Sequence, residues 1–98
     1  MVVFNATNEK LIGRVGKQNN AFPQGFSKAF SMREYYDAEE DLFFIPVGFA
    51  VESKEGPKIV FTNTFEFHPG NRIILILKPP SRPGSHRLKV NKLIDAAQ

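Results

Sequence analysis

The residues most able to do chemistry in this chain are its two histidines, because imidazole can act as a base, a partner of a nucleophile or a metal ligand. His68 lies in a predicted turn, and His86 lies in a predicted loop directly after Ser85. Two adjacent loop residues do not make a nucleophile and base pair, and the chain has no G-x-S-x-G elbow. The chain also has no cysteine, which removes a thiolate nucleophile and a zinc site built on sulfur. We therefore predict a protein that is not an enzyme and that has no metal ion or cofactor.

A second group of candidate residues is acidic. Asp37, Glu39, Glu40 and Asp41 follow one another closely, but they lack the D-x-D-x-D-G pattern with a distal glutamate that marks a calcium loop. A solvated acidic surface is the interpretation we favour. Asp37, Glu40 and Asp41 are therefore predicted to form an acidic binding patch for a basic surface on the same or a neighbouring molecule.

The last third of the chain carries the basic counterpart. The stretch KPPSRPGSHRLK, residues 78–89, has prolines that hold it extended, so that its charges project into solvent. The predicted basic patch comprises Arg72, Lys78, Arg82, Arg87, Lys89 and Lys92. If these residues met on one face they would contact phosphates, with an affinity that falls as salt rises. Aromatic side chains that could stack on bases are absent from residues 69–98, so we favour a proline-stiffened loop that either positions the last strand or docks on the acidic region of a neighbour.

Charge is segregated along the whole chain. Residues 1–33 carry five basic side chains and one acidic, residues 34–66 carry eight acidic and two basic, and residues 67–98 carry six basic and one acidic. Such segregation favours contacts between oppositely charged regions, within one molecule or between copies. It also allows a basic footprint on one face of the protein.

Alternating apolar residues predict a β-meander in the second half of the chain. The predicted strands are residues 43–52, 58–67 and 72–78, and residues 87–94 add a final strand. In the second of these strands the pattern places Ile59, Phe61, Phe65 and Phe67 on one face. Residues 72–78 are apolar on both faces, which is typical of a strand that is buried on both sides.

The first half of the chain is harder to interpret. The runs VVFNA and KLIGRVG suggest a hairpin. Ser31 and Glu34 have the spacing of a capping box, which predicts a short α-helix over about residues 32–43, although the run EYYD could instead extend as a strand. With ten phenylalanines to fill a core, we predict a single mostly β domain over residues 1–98, a sandwich or a partly open barrel with one short α-helix.

These observations favour a non-catalytic protein-interaction or structural module, a subunit of a larger assembly that acts through segregated acidic and basic surfaces. Its expected partner is another protein or another copy of the chain. The alternative is a small nucleic-acid-binding β-domain, of the OB or SH3-like kind, that uses the basic C-terminal patch. No run of residues approaches the length of about 20 apolar residues that spans a membrane, so we expect a soluble, intracellular protein.

Overall fold

Two β-sheets face each other in the computed structural model, which describes residues 1–82, 84 and 87–96. The strands within these residues are β1 (Val2–Asn5), β2 (Leu11–Val15), β3 (Gln18–Phe22), β4 (Gly25–Phe26), β5 (Tyr36–Asp37), β6 (Leu42–Ser53), β7 (Gly56–Phe67), β8 (Asn71–Lys78) and β9 (Lys89–Ala96). The prediction of a mostly β fold is confirmed. The predicted final strand also exists, as β9.

The four-stranded sheet has the order β4-β1-β8-β9. Its two central strands, β1 and β8, are parallel, and its two outer pairs are antiparallel. The two apolar runs of the chain, VVF and IILIL, therefore lie side by side in the middle of this sheet. A sheet with such a centre is apolar on both of its faces.

The five-stranded sheet is organised around β6, which has twelve residues. β7 pairs along one edge of β6 through a tight hairpin between Ser53 and Gly56. On the other edge, β2 pairs with the middle of β6 and β3 pairs with β2, while β5 pairs with the first residues of β6. The two-residue turn between β2 and β3 requires Gly16, whose φ is +61° and whose α-carbon lies against the Tyr35 ring.

The core lies between the two sheets. The four-stranded sheet contributes Val3, Ile73, Leu75 and Leu77, and the five-stranded sheet contributes most of the large side chains: Leu11, Val15, Phe22, Ile45, Val47, Phe49, Val60, Phe65 and Phe67. Phe22 and Phe49 meet edge to face, with ring centroids 5.2 Å apart. The excess of phenylalanine in the sequence is therefore used mainly to fill this space.

One side of the sandwich is nearly closed by β7 and β9. The backbone amide of Leu88 donates to the carbonyl of Val60 at 3.0 Å, and the Lys92 ammonium lies 5.5 Å from the centroid of the Phe65 ring. Val60 is an extra residue in the pairing of β6 with β7, where Phe49 faces Phe61 and the next pair skips it. This β-bulge turns the buried side chain of Val60 inward, so the predicted inward position of Ile59 is wrong: that side chain is 69 % exposed.

The predicted α-helix over residues 32–43 is wrong. Only a single 3₁₀ turn, Arg33–Tyr35, forms there, followed by β5. The Ser31 hydroxyl accepts from the Arg33 amide at 3.4 Å, one residue short of the donor that a capping box uses. The Asp37 carboxylate then accepts from the Glu39 and Glu40 amides, which closes a turn where a helix would have continued.

Two further predictions about strand pairing are wrong. β1 and β2 do not form a hairpin, because they belong to different sheets. The meander ends after β6 and β7, because β8 crosses to the other sheet and pairs there with β1 and β9. The turn that allows the crossing contains Gly70, whose φ is +85°.

Candidate interaction surface

The predicted basic residues do not come together on one surface. Lys78 and Lys89 face each other across β8 and β9, on the side of the four-stranded sheet that points away from the core. Arg72 lies at the other end of β8, where its Nε is 3.9 Å from a carboxylate oxygen of Asp95. Lys92 points to the opposite side of the sheet, over the Phe65 and Phe67 rings. Of the six residues, the pairing of β8 with β9 brings only Lys78 and Lys89 together.

The remaining two basic residues lie in the loop between β8 and β9. Arg82 and Arg87 are both exposed. The neighbouring His86 and Ser85, which the sequence offered as chemical groups, lie outside the described residues. His68 is exposed next to the turn that leads into β8.

The predicted acidic residues do come together. Asp37 ends β5, Glu40 and Asp41 lie in the connection between β5 and β6, and we call residues 37–41 the acidic turn. Hydrogen bonds fix its shape: one Asp37 oxygen accepts from the Glu39 amide at 2.9 Å and from the Glu40 amide at 3.2 Å. The Tyr36 hydroxyl donates to Asp41 at 2.5 Å. This bond favours the neutral phenol and raises the pKa of Tyr36.

The acidic turn and the Lys78–Lys89 pair lie at opposite ends of the molecule. The turn leads directly into β6, whose Phe43 pairs with Phe67 at the end of β7. β8 begins four residues later, at Asn71, so the turn and the start of β8 share one end. Lys78 is the last residue of β8, roughly 23 Å farther along the strand. We call the end that carries the acidic turn the acidic end and the end that carries Lys78 and Lys89 the basic end, although Arg72 lies at the former and Glu52 at the latter.

A larger feature that sequence reasoning missed is the outward side of the four-stranded sheet. Alternate residues on its strands form a continuous apolar surface, which we call the outer apolar face: Val2, Phe4, Phe26, Ile74, Ile76 and Leu93. Phe26 is 69 % exposed and Leu93 is 53 % exposed. The Phe4 and Phe26 rings lie 4.5 Å apart, which holds both rings in place. Within the described residues, no strand or helix covers this surface.

The sequence did contain a signal for this surface. Residues 72–78 were predicted to be buried on both sides, and their inward members are buried, as Leu75 and Leu77 show. Their outward members, Ile74 and Ile76, are only half-buried. The double-sided apolar pattern therefore indicated a surface that needs a cover, although the chain itself does not supply one in its described part.

The five-stranded sheet has an outward apolar feature of its own. A shallow groove of about 760 Å³ is lined by Ile12, Ala21, Ala50, Pro57 and Ile59. At its rim the Arg14 guanidinium donates to the Asn19 side chain at 2.9 Å. Gly13 and Gly48 also line the groove.

No group of three or more histidine, cysteine or carboxylate side chains in the described part of the chain could hold a metal ion. No helix among residues 1–82, 84 and 87–96 is long and apolar enough to cross a membrane. Comparison with known proteins finds no matching family, no matching characterised protein and no matching solved structure.

Proposed function

We propose that this chain is a non-catalytic protein-interaction module, a subunit of a larger assembly whose binding surface is the outer apolar face. The observation that supports the proposal is the exposure of Phe26 and Leu93, on the two edge strands of an uncovered apolar sheet surface. Contiguous apolar surfaces of this kind, bordered by polar residues, are typical of protein-binding sites.

Phe26 exposes enough apolar surface to be an anchor residue of an interface. A phenylalanine that is 69 % exposed leaves roughly 140 Å² of apolar surface in water. Burying that area contributes about 3 kcal/mol. Leu93, Ile74 and Ile76 add to it from the adjacent strands, so a partner that covers the face gains a central cluster of the kind that dominates protein interfaces.

The charges at the border of the face define the chemistry of the partner. Lys78 and Lys89 lie side by side at one end of it. A partner with an apolar surface and carboxylates at one end therefore complements it best, because opposite charges also suppress binding in the wrong orientation. This is how the segregated charges of the chain would contribute to the interaction.

A pair of matched substitutions tests the proposal. Phe26→Ser and Ile59→Ser each remove one side chain that is 69 % exposed, but from opposite sheets. Immobilised wild-type protein and both variants are compared for proteins captured from cells of the source organism, after circular dichroism has shown the same β signal for all three. We expect Ile59→Ser to keep the captured partner and Phe26→Ser to lose it. Equal retention by both variants would place the binding surface elsewhere.

Nucleic acid is the second candidate partner, because Lys78 and Lys89 lie close together and the exposed Arg82 lies in the loop that begins at Lys78. Phosphate binding by this cluster would fall steeply with salt. Fluorescence anisotropy with single-stranded and duplex oligonucleotides measures it directly. No salt-sensitive binding at micromolar protein would remove this candidate.

A further inference from the structure

We infer that the partner of the outer apolar face is the acidic turn of a second copy of the chain, so that copies associate acidic end to basic end. The inference rests on the proposed function and goes beyond it by naming the partner. Its basis is the complementarity between two surfaces of the same molecule, one apolar and basic, the other aromatic and acidic.

Charge is the first part of this complementarity. Residues 34–41 carry five carboxylates, and none of them forms an ion pair with any residue that the structure describes. Lys78 and Lys89 face each other directly across two strands, an arrangement of like charges that destabilises a sheet. Carboxylates placed between the two ammonium groups would relieve the repulsion on both sides of the contact.

Apolar surface is the second part. Tyr36, at the start of the acidic turn, is 44 % exposed, and its ring lies 5.2 Å from the Phe43 ring. The turn therefore presents an aromatic pair beside its carboxylates. On the outer apolar face, Ile76 lies two residues before Lys78 on the same side of β8, and Phe4 lies beside Ile76 on β1. A docked turn can therefore place its carboxylates at the lysines and its aromatic rings on these apolar side chains.

The turn is also preorganised for binding. Its backbone is held by the two hydrogen bonds to Asp37, and its aromatic side chain by the bond from Tyr36 to Asp41. A segment whose shape is already fixed loses little conformational entropy when it docks, so more of the contact energy is retained as affinity.

The contact must form between molecules. The acidic turn lies on the five-stranded sheet, at the end of the molecule opposite Lys78 and Lys89, so it cannot reach those residues in its own chain. Because the two surfaces differ, one copy keeps a free turn and the other keeps a free face after one contact. Such a head-to-tail contact produces a ring or an open chain of copies, and the mass should grow beyond a dimer.

Charge reversal on each surface tests the inference. Lys78→Glu with Lys89→Glu changes the face, and Glu39→Lys with Glu40→Lys changes the turn without removing the carboxylates that fix its shape. Sedimentation velocity is measured over a range of concentrations at low and at physiological ionic strength. We expect wild-type association that weakens with salt, an apparent Kd at least about tenfold weaker in either double variant, and recovery when all four changes are combined in one chain.

Lys54→Glu with Lys58→Glu is the matched control, since it makes the same change of net charge on the five-stranded sheet. We expect it to associate as the wild-type chain does. Wild-type protein that stays monomeric at low salt would overturn the inference. So would association that survives both the face and the turn variants, which would point instead to pairing of β9 edges between copies. The capture experiment with Phe26→Ser is a separate test. If the wild-type chain is monomeric but Phe26→Ser still fails to capture the partner protein, the inference is overturned and the proposed function stands.

Discussion

Asn5 ends β1 and provides the sharpest test of how the four-stranded sheet is held in place. The residue is 2 % exposed, and its side chain makes four hydrogen bonds. Its amide donates to the carbonyls of Phe22, at 2.7 Å, and Glu9, at 2.9 Å. Its oxygen accepts from the amide of Thr7 at 2.9 Å and from the Thr7 hydroxyl at 2.6 Å. One side chain thus ties β1 to the end of β3, which belongs to the other sheet.

Asn5→Ala removes all four bonds at once. The Thr7 hydroxyl keeps a bond to the Glu9 carbonyl, but the Thr7 amide and the Phe22 carbonyl each lose a buried partner. At about 1–3 kcal/mol for each unsatisfied group, we expect a loss of about 3 kcal/mol in the free energy of unfolding. For a urea m-value of about 1.5 kcal/mol/M, the unfolding midpoint falls by roughly 2 M.

For Asn5→Asp, we expect a loss of stability that depends on pH. The new carboxylate would face two carbonyl oxygens, which favours its protonated form in the folded state and raises its pKa there. A pKa that is higher in the folded than in the unfolded state contributes stability below the pKa of the unfolded state, and this stability is lost as the pH rises. Relative to wild type at each pH, the variant should therefore be less stable at pH 7 than at pH 4. Asn63→Ala is the control, because the exposed Asn63 bonds only to the next amide. Equal midpoint shifts for Asn5→Ala and Asn63→Ala would refute the argument.

Two other predictions concern glycine packing and the acidic turn. A β-carbon on Gly13 would lie 2.5 Å from the Gly48 carbonyl oxygen, whereas one on Gly48 would meet nothing closer than 3.8 Å. Gly13→Ala should therefore lower the free energy of unfolding by about 2 kcal/mol. Gly48→Ala should leave it unchanged or raise it by about 0.5 kcal/mol. Equal urea unfolding midpoints for the two variants would contradict this. Tyr35→Phe leaves Tyr36 as the one tyrosine of the chain, so its titration can be followed by phenolate absorbance. In this background, Asp41→Asn should lower the pKa of Tyr36. An unchanged titration would mean that the Tyr36–Asp41 hydrogen bond is absent in solution.

The strands could be predicted from the sequence where the local pattern and the tertiary environment agree. β7 and β8 alternate or run apolar over enough residues for the period to be clear, and both exist within one or two residues of the predicted bounds. The helix was predicted from the capping-box spacing of Ser31 and Glu34 and from apolar residues on a 3.6-residue period. Neither signal can show that Asp37 will use its carboxylate to close a turn. Hydrogen bonds from side chain to backbone compete with a helix in ways that a periodic pattern does not record.

Ile59 shows a different limit. Its period-two spacing from Phe61 places both on one face only if the strand is regular, and the extra residue Val60 breaks that regularity. The bulge depends on contacts that lie far away in the sequence. It directs the Val60 carbonyl to the amide of Leu88, which lies 28 residues later and directly before β9 of the other sheet. Sequence alternation alone carries no information about such a long-range choice.

The same reasoning explains why the predicted acidic residues lie together whereas the predicted basic residues do not. Asp37, Glu40 and Asp41 are neighbours in sequence, so any compact turn keeps them together. Arg72 and Lys78 are separated by a strand, and the pairing of β8 with β9 decides which charges meet. That pairing puts Lys92 on the inner side and Lys89 on the outer side of one sheet, and this is why the basic charge borders an apolar face. The partner of that face is accordingly expected to be selected by apolar area first and by charge second.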